Sequence, residues 1–440
     1  MQAVDPVIEQ FRARRLARRN VPPLVMGQAV SLFGDYLAYF SIPWFILELT
    51  GRARDLGLTA AAETLPLALF GLSAGVLLDR FDTKRILITA ECVRAVAFFL
   101  LALGAEGDAS PWMVFLAAFV VGTMSTLFDS GLQAFLPSVV GEDLLVPVNS
   151  QLSLARTLAW PGGVAVAGIL VTQPGGFSIA FAANSYTFVL SALLVWRLRP
   201  RYPKVRSDRL AGRSGIWLGV AFLRRDQVLK WATIGAAVAN LVFAPLEALL
   251  LKFVDEELLA DTSAIVDTLV PGAAKVGLFV AAQAVIGSIG IALAPRLSHR
   301  LPLGRMYVAG LLALGAGFAV VSTMRSFWAV VPAGIALAGV GWVNVSFFTL
   351  RQKLTPPDLL GRVIAASRTL SWILIPLGAA GGGWIGDELG LIPVYLFGSL
   401  AVIAVATVML ATPLFSADGT PSLSRFERAI MHASSPKGRD

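Results

Sequence analysis

Three carboxylates stand where a carboxylate is costly: Asp35, Glu63 and Glu247 each lie inside a long apolar run of this 440-residue chain. A charge at the centre of a hydrocarbon layer costs roughly 2.5 to 3.5 kcal/mol, so each needs a partner or a hydrated cavity. The chemistry such a group offers is uptake and release of a proton, because desolvation opposes the ionised form of a carboxyl group. Asp35 shares a helix face with Gln28, Ser31 and Tyr39, and Glu247 follows Asn240 by seven residues, again on one face. These stripes predict helices that line a central cavity. Two arginines add a second kind of chemistry. Arg156 precedes Trp160 and Arg368 precedes Trp372 by four residues, which puts guanidinium and indole on one helix face. Aromatic faces suit large apolar or cationic ligands, and arginines suit anionic groups. The residues alone leave alternatives open: each acid could be a structural partner of Arg156 or Arg368, and each tryptophan could be packing or an interface anchor. Glu91 and Arg94, three residues apart, are expected to form a structural ion pair.

The elements that must carry these residues follow from composition. The chain is 56% hydrophobic and 15% charged, with mean hydropathy +0.73, whereas soluble domains are about one quarter charged. A membrane-spanning helix needs about 20 apolar residues. Twelve such runs can be placed, near 24–50, 57–78, 84–104, 111–136, 144–171, 177–197, 228–253, 270–294, 303–323, 327–350, 362–385 and 391–411. They are uniformly apolar and lack the two-residue alternation of barrel strands. The expected fold class is therefore an all-α membrane protein of twelve transmembrane helices. The basic N-terminus is followed by a run too long for a cleavable signal and without a small-residue cleavage site.

Basic residues recur in every second loop. They include Arg12 to Arg19 before the first run, Arg80, Lys84 and Arg85 after the second, Arg197 to Arg225 after the sixth, and Arg425 to Arg439 at the end. By the positive-inside rule both termini are cytoplasmic. The net charge of +8 is thus distributed as membrane topology requires, and nucleic acid is not an expected partner. The longest basic connection falls after six spans, and "RTLAW" at Arg156 recurs as "RTLSW" at Arg368, 212 residues later. A parallel repeat of two six-helix bundles is expected. The predicted organisation is a basic tail (1–20), a first bundle (21–198), a basic cytoplasmic linker (199–227), a second bundle (228–412) and a cytoplasmic tail (413–440).

The stretch "GVLLDRFDTKR" after the second run places Gly75, Asp79, Arg80, Lys84 and Arg85 on the pattern G-x-x-x-D-R-x-x-x-K-R. With twelve spans in two halves, it resembles the second-to-third loop of the major facilitator superfamily. "TPPDLLGRV" (355–363) and "GDYLAYFSIPWFILELTG" in the first span are similar to the drug:proton antiporter branch that includes macrolide and siderophore exporters. The fifth span carries Trp160, Pro161, Gly162, Gly163 and Gly168, an approximate form of that branch's antiporter motif. The fourth span has no basic residue, and Pro295 replaces the loop aspartate in the second half. The resemblance implies a gating loop that holds the cytoplasmic helix ends together in the outward-facing state. Asp79 would face the N-terminus of the eleventh helix near Arg362, where the helix dipole is positive. Arg80 would pair with Asp129, and Lys84 and Arg85 would meet anionic headgroups. Asp35, Glu63 and Glu247 would couple protons, and Gln28, Ser31, Tyr39, Arg156, Trp160, Asn240, Arg368 and Trp372 would form the substrate cavity.

Several motif matches carry no chemistry here. "GLSAG" at Gly71 has no preceding strand, and "GGGWIG" at Gly381 closes an apolar run instead of opening a helix after a strand. There is no G-x-x-x-x-G-K-[ST] loop, so transport energy must come from a gradient. Cys92 is the only cysteine and His299 and His432 the only histidines, so no metal site, cofactor or catalytic residue is expected, and the chain is not read as an enzyme. The expected function is secondary active transport in the inner membrane of a bacterium, exchanging amphipathic small molecules such as drugs, antibiotics or siderophore-like metabolites for protons. Lipids surround it, and it is expected to act as a monomer. The alternatives are an uncoupled transporter of lipids or metabolites and a non-transporting scaffold or receptor.

Overall fold

The computed structural model describes residues 6–71, 77–78, 80–107, 109–199, 213–259, 272–356 and 359–419. Gly75, Asp79 and Asp358 lie outside the described residues, as do 200–212 of the predicted linker and 420–440 of the predicted tail. The first half comprises α1 (Pro6–Thr50), α2 (Ala53–Phe70), α3 (Thr83–Ala105), α4 (Pro111–Val140), α5 (Glu142–Leu170) and α6 (Gly176–Arg197). A connecting helix α7 (Arg213–Arg225) leads to α8 (Gln227–Ala248), α9 (Ala273–Ala292), α10 (Leu303–Val321), α11 (Val330–Leu354), α12 (Leu360–Trp372), α13 (Ile375–Leu389) and α14 (Leu391–Leu410). Each of the twelve apolar runs is helical over most of its described part.

Among the described residues eleven helical stretches, not twelve, are long and apolar enough to cross a membrane. The difference is α2, whose 18 described residues include Arg54, Asp55 and Glu63. Two further boundaries depart from expectation. The eleventh run is broken after Trp372, and Pro376 near the start of α13 supplies the reason. Proline lacks the amide hydrogen, and its ring clashes with the carbonyl four residues before, here Trp372. The end of the predicted linker folds as α7, which packs on α12, with Gly219 against the Arg362 carbonyl.

Helix packing divides the chain into two bundles. In the first, α1 packs against α5 and α6, and α3 against α4 and α6. In the second, α8 packs against α13 and α14, and α10 against α11 and α14. Phe40, Phe98, Phe181 and Phe188 are fully buried in the first core, with Phe98 and Phe188 centroids 5.6 Å apart. Tyr307 and Tyr395 anchor the second by donating to the backbone carbonyls of Ala232 and Leu246, which satisfies hydroxyls that would otherwise be costly to bury. The outer surface is apolar: Trp112, Trp196, Trp328 and Trp384, all near helix ends, are more than half exposed. That pattern suits lipid contact with tryptophan at the interfaces.

The bundles meet along two helix pairs, α2 with α13 and α5 with α9. With the Gly51 turn between α1 and α2 placed uppermost, the close approaches of both pairs lie at the upper end. A Cβ on Gly57 of α2 would strike the Ala379 carbonyl of α13, and one on Gly277 of α9 would lie 2.9 Å from the Gly168 Cα of α5. Only glycine permits such backbone proximity between membrane helices. Lower on α5 the contact is lost: Val164 and Ala167 are fully buried, whereas Leu154 and Leu158 are 58% and 64% exposed.

Candidate functional site

A cavity of about 420 Å³ lies between the bundles. Its charged lining residues are Glu63 of α2, Asp129 of α4, Glu247 of α8 and Arg368 of α12, and Trp372, Phe243 and Phe347 add aromatic surface. A smaller space of about 180 Å³ adjoins its upper end and is also lined by Glu63 and Glu247, together with Tyr39. Carboxylates from opposite bundles thus face the same space. The Tyr39 hydroxyl donates to Glu247 Oε1 at 3.3 Å, a hydrogen bond across the bundle boundary.

The broken helix supplies part of the wall. Helix breaks at membrane depth are tolerated where neighbouring groups satisfy the freed backbone, and here the Asn240 side-chain amide donates to the Ser371 carbonyl at 2.9 Å. The Arg368 guanidinium lies over the Trp372 ring at 5.2 Å, so the expected guanidinium and indole stack is present and faces the cavity.

The polar stripe of α1 divides. Ser31 is buried and turns into the first bundle, 3.4 Å from Glu91 Oε1. Gln28 is buried too and is not among the cavity-lining residues. Asp35 approaches Arg94 Nη1 at 3.5 Å and remains about 38% exposed, while Tyr39 crosses to the second bundle. Arg156 is exposed beside the Tyr36 hydroxyl, and Trp160 stacks on Tyr36 at 6.0 Å, so this pair extends from α5 toward α1 without lining the main cavity.

Glu91 and Arg94 form an ion pair at 2.6 Å. Ser191 of α6 donates to Glu91 at 2.7 Å, and the Arg94 guanidinium stands 4.3 Å from the Phe188 ring centroid and 4.8 Å from that of Phe128. Arg94 therefore joins α3 to α1, α4 and α6.

At the lower end, Arg80 and Asp129 form no ion pair among the described residues, and the Arg362 carbonyl packs on Gly219 of α7. Lys84, expected at anionic headgroups, is hydrogen-bonded to backbone of the first bundle. Its Nζ donates to the Trp196 and Leu198 carbonyls at 2.6 and 2.7 Å, closing the C-terminal end of α6, where a cation complements the helix dipole. Asp82, its neighbour, caps α3 through the Arg85 amide at 2.9 Å.

Sequence reasoning missed the residues that seal the upper end. The N-cap residue Arg52 offers α2 no side-chain bond; Asp387 of α13 supplies it from the other bundle, accepting from the Ala53 and Arg54 amides at 2.7 and 3.1 Å. Lys252 donates to the Gly51 carbonyl at 2.8 Å and pairs with Glu256 at 2.5 Å. Both charges come from the second half, and each complements the helix end it meets. Losing a side-chain N-cap costs about 1 kcal/mol, about fivefold in an equilibrium. Asp387→Ala is therefore expected to raise labelling of an Ala60→Cys, Cys92→Ser protein, from the sealed face, about fivefold with an impermeant maleimide. Unchanged labelling would show that Asp387 does not hold the seal.

Arg351 was also missed, since it reads as a loop cation. It is 3% exposed, donates to Ser367 Oγ at 2.7 Å and lies 4.3 Å from the Phe347 ring centroid. A signal for the acids was present in the repeat: the 212-residue offset that relates Arg156 to Arg368 also relates Gln28 to Asn240 and Asp35 to Glu247.

Comparison with known proteins agrees with this architecture. Macrolide efflux protein A of Streptococcus pyogenes is 23% identical over 394 residues, covering 87% of this chain and 93% of the relative. Multidrug efflux pump Tap of Mycolicibacterium fortuitum is 25% identical over 401 residues, covering 86% and 92%. A solved structure of the nucleoside transporter NupG superposes with a TM-score of 0.74 at 11% identity, over 91% of this chain and 100% of the other. The family model of the Major Facilitator Superfamily matches residues 24–379. A membrane-helical chain of two bundles around a shared cavity, matched by that model over most of its length, belongs to the major facilitator superfamily and is a transporter.

Proposed function

We propose that this transporter is a proton-coupled exporter of amphipathic small molecules, working by alternating access in the bacterial inner membrane. The observation that carries the reading is the convergence of Glu63 and Glu247, from opposite bundles, on one cavity. A carboxyl group there can exchange its proton with the side to which the cavity opens, and its protonation changes the repulsion between the two halves. The relatives named for macrolide and multidrug efflux favour export of such molecules. The basic loops of the lower end favour a cytoplasmic location for it and for both termini. On that assignment the sealed upper end is periplasmic and the arrangement faces inward, which accounts for the absence of an Arg80–Asp129 ion pair among the described residues. Lys84, Arg85 and Arg362, with Gly75 and Asp79, would regroup at the lower end in the outward-facing state. The chain acts as a monomer in its lipid surroundings.

Proteoliposomes carrying the purified protein test this reading with a panel of amphiphiles: erythromycin, ethidium and norfloxacin. One pH unit is 1.36 kcal/mol per proton. Exchange of one proton per substrate at zero membrane potential is therefore expected to give accumulation of up to about tenfold per pH unit, abolished by a protonophore. Flux that ignores the gradient for every member of the panel would remove proton coupling and leave a facilitated transporter.

A further inference from the structure

We infer that the main cavity is built for a zwitterionic aromatic amphiphile, a molecule carrying one cationic and one anionic group on a flat apolar body. The inference rests on the exporter reading and narrows its substrate class. Charges of both signs line the same space, yet they do not cancel one another. Glu63, Asp129 and Glu247 come from α2, α4 and α8, and Arg368 comes from α12. Among the described residues no ion pair joins Arg368 to any of these acids. Glu247 accepts a hydrogen bond from the Tyr39 hydroxyl, and the Arg368 guanidinium rests on Trp372.

The region around Arg368 is cationic beyond that single residue. Arg351, 3% exposed, stands behind the lining residue Phe347, and among the described residues no carboxylate pairs with it; its Nε atom has no hydrogen-bond partner. Ser371 lines the cavity, is 1% exposed, and its hydroxyl oxygen is likewise without a partner. A buried hydroxyl left unsatisfied costs free energy that a ligand acceptor would recover. Arg368, Ser371 and the positive field of Arg351 thus form a receptor for a carboxylate-like group. Planar guanidinium donors match that group well. The three acids form the receptor for an ammonium group, and Phe243, Phe347 and Trp372 offer faces to an aromatic body between them. A purely cationic ligand would leave Arg368 uncompensated when the cavity closes, and a purely anionic one would leave the acids so. Each single-charge ligand leaves all the lining charge of one sign without a partner, whereas the zwitterion provides one for Arg368 and one for the acidic cluster.

The test uses purified protein and three probes of one skeleton: norfloxacin, its carboxyl methyl ester, which keeps only the amine charge, and N-acetylnorfloxacin, which keeps only the carboxylate. Binding is read by isothermal titration calorimetry. Norfloxacin is expected to bind at least tenfold more tightly than either derivative. Arg368→Gln should weaken norfloxacin and tighten the ester, which no longer leaves a buried arginine uncompensated, so that the tenfold preference is lost, and Arg368→Lys, which keeps the charge, should retain most of the preference. Equal affinity for norfloxacin and its ester, equal losses for both in Arg368→Gln, or no binding of any probe overturns the inference. Preferential binding of norfloxacin with no gradient-driven transport in proteoliposomes would instead sustain the inference and overturn the exporter reading.

Discussion

Glu247→Gln is expected to yield a transporter that still moves its substrate down a concentration gradient but no longer concentrates it against a pH gradient. Glu247 on α8 and Glu63 on α2 face one cavity from opposite bundles. Two carboxylates that share a space repel when both are ionised, and a proton on either removes the repulsion. Movement of the bundles can therefore be tied to protonation only while both groups can ionise, because a lone carboxylate has no opposing charge to repel. Glutamine keeps the shape and can still accept from Tyr39, but it holds no exchangeable acid proton. The accumulation of up to about tenfold per pH unit proposed for the parent protein should fall to onefold in Glu247→Gln, and substrate counterflow should survive. Glu63→Gln and Asp35→Asn are expected to weaken the response as well. Asp35 has the weaker claim on the cavity, since it turns toward Arg94 at 3.5 Å. A full gradient response in all three variants would eliminate these acids as proton carriers.

Arg94→Met should have the largest effect on stability. Glu91 is fully buried and Arg94 is 2% exposed, so removing the guanidinium strands a carboxylate in the first bundle. Breaking a buried pair by deleting one partner costs about 3 to 5 kcal/mol, most of it from the charge left behind. The variant also loses the approaches to Asp35 and Ser125 and the ring contacts with Phe128 and Phe188. Thermal unfolding in detergent should show a marked fall in Tm. In Glu91→Leu, Arg94→Met the stranded charge is gone, and much of the loss should be recovered. If the double variant were no more stable than Arg94→Met, the stability would reside in the ring contacts of Arg94 and not in its charge pairing.

These two groups of charges also illustrate what local spacing can and cannot reveal. The Glu91–Arg94 pair was legible because residues three apart on a helix are neighbours whatever surrounds them. The participation of Asp35, 59 residues from Arg94, was not. Amphipathic spacing indicated that Gln28, Ser31, Asp35 and Tyr39 share a face, but a helix packed on several sides offers more than one destination to a single face. Ser31 and Asp35 went to α3, and Tyr39 went to α8. Lys84 reads as a headgroup contact because loop cations usually are, and it closes α6 because the carbonyls of Trp196 and Leu198 come within reach only after α3 and α6 pack.

The helical class, the run of membrane spans, the two-bundle plan and the family were all legible in the residues alone, as was Pro376, the proline that breaks the eleventh run. Hydrocarbon imposes the first two through length and apolarity, while the recurring pentapeptide and the loop signature carried the bundle plan and the family, and all of these are properties of contiguous residues. Packing settles which buried charges meet and, among the described residues, that Asp387, Lys252 and glycine contacts seal the bundles at the upper end. Those features depend on the rotation of each helix about its axis and on the contact between bundles. A lipid-facing apolar side chain and a bundle-facing one look alike in sequence, so the pattern of apolar residues constrains neither.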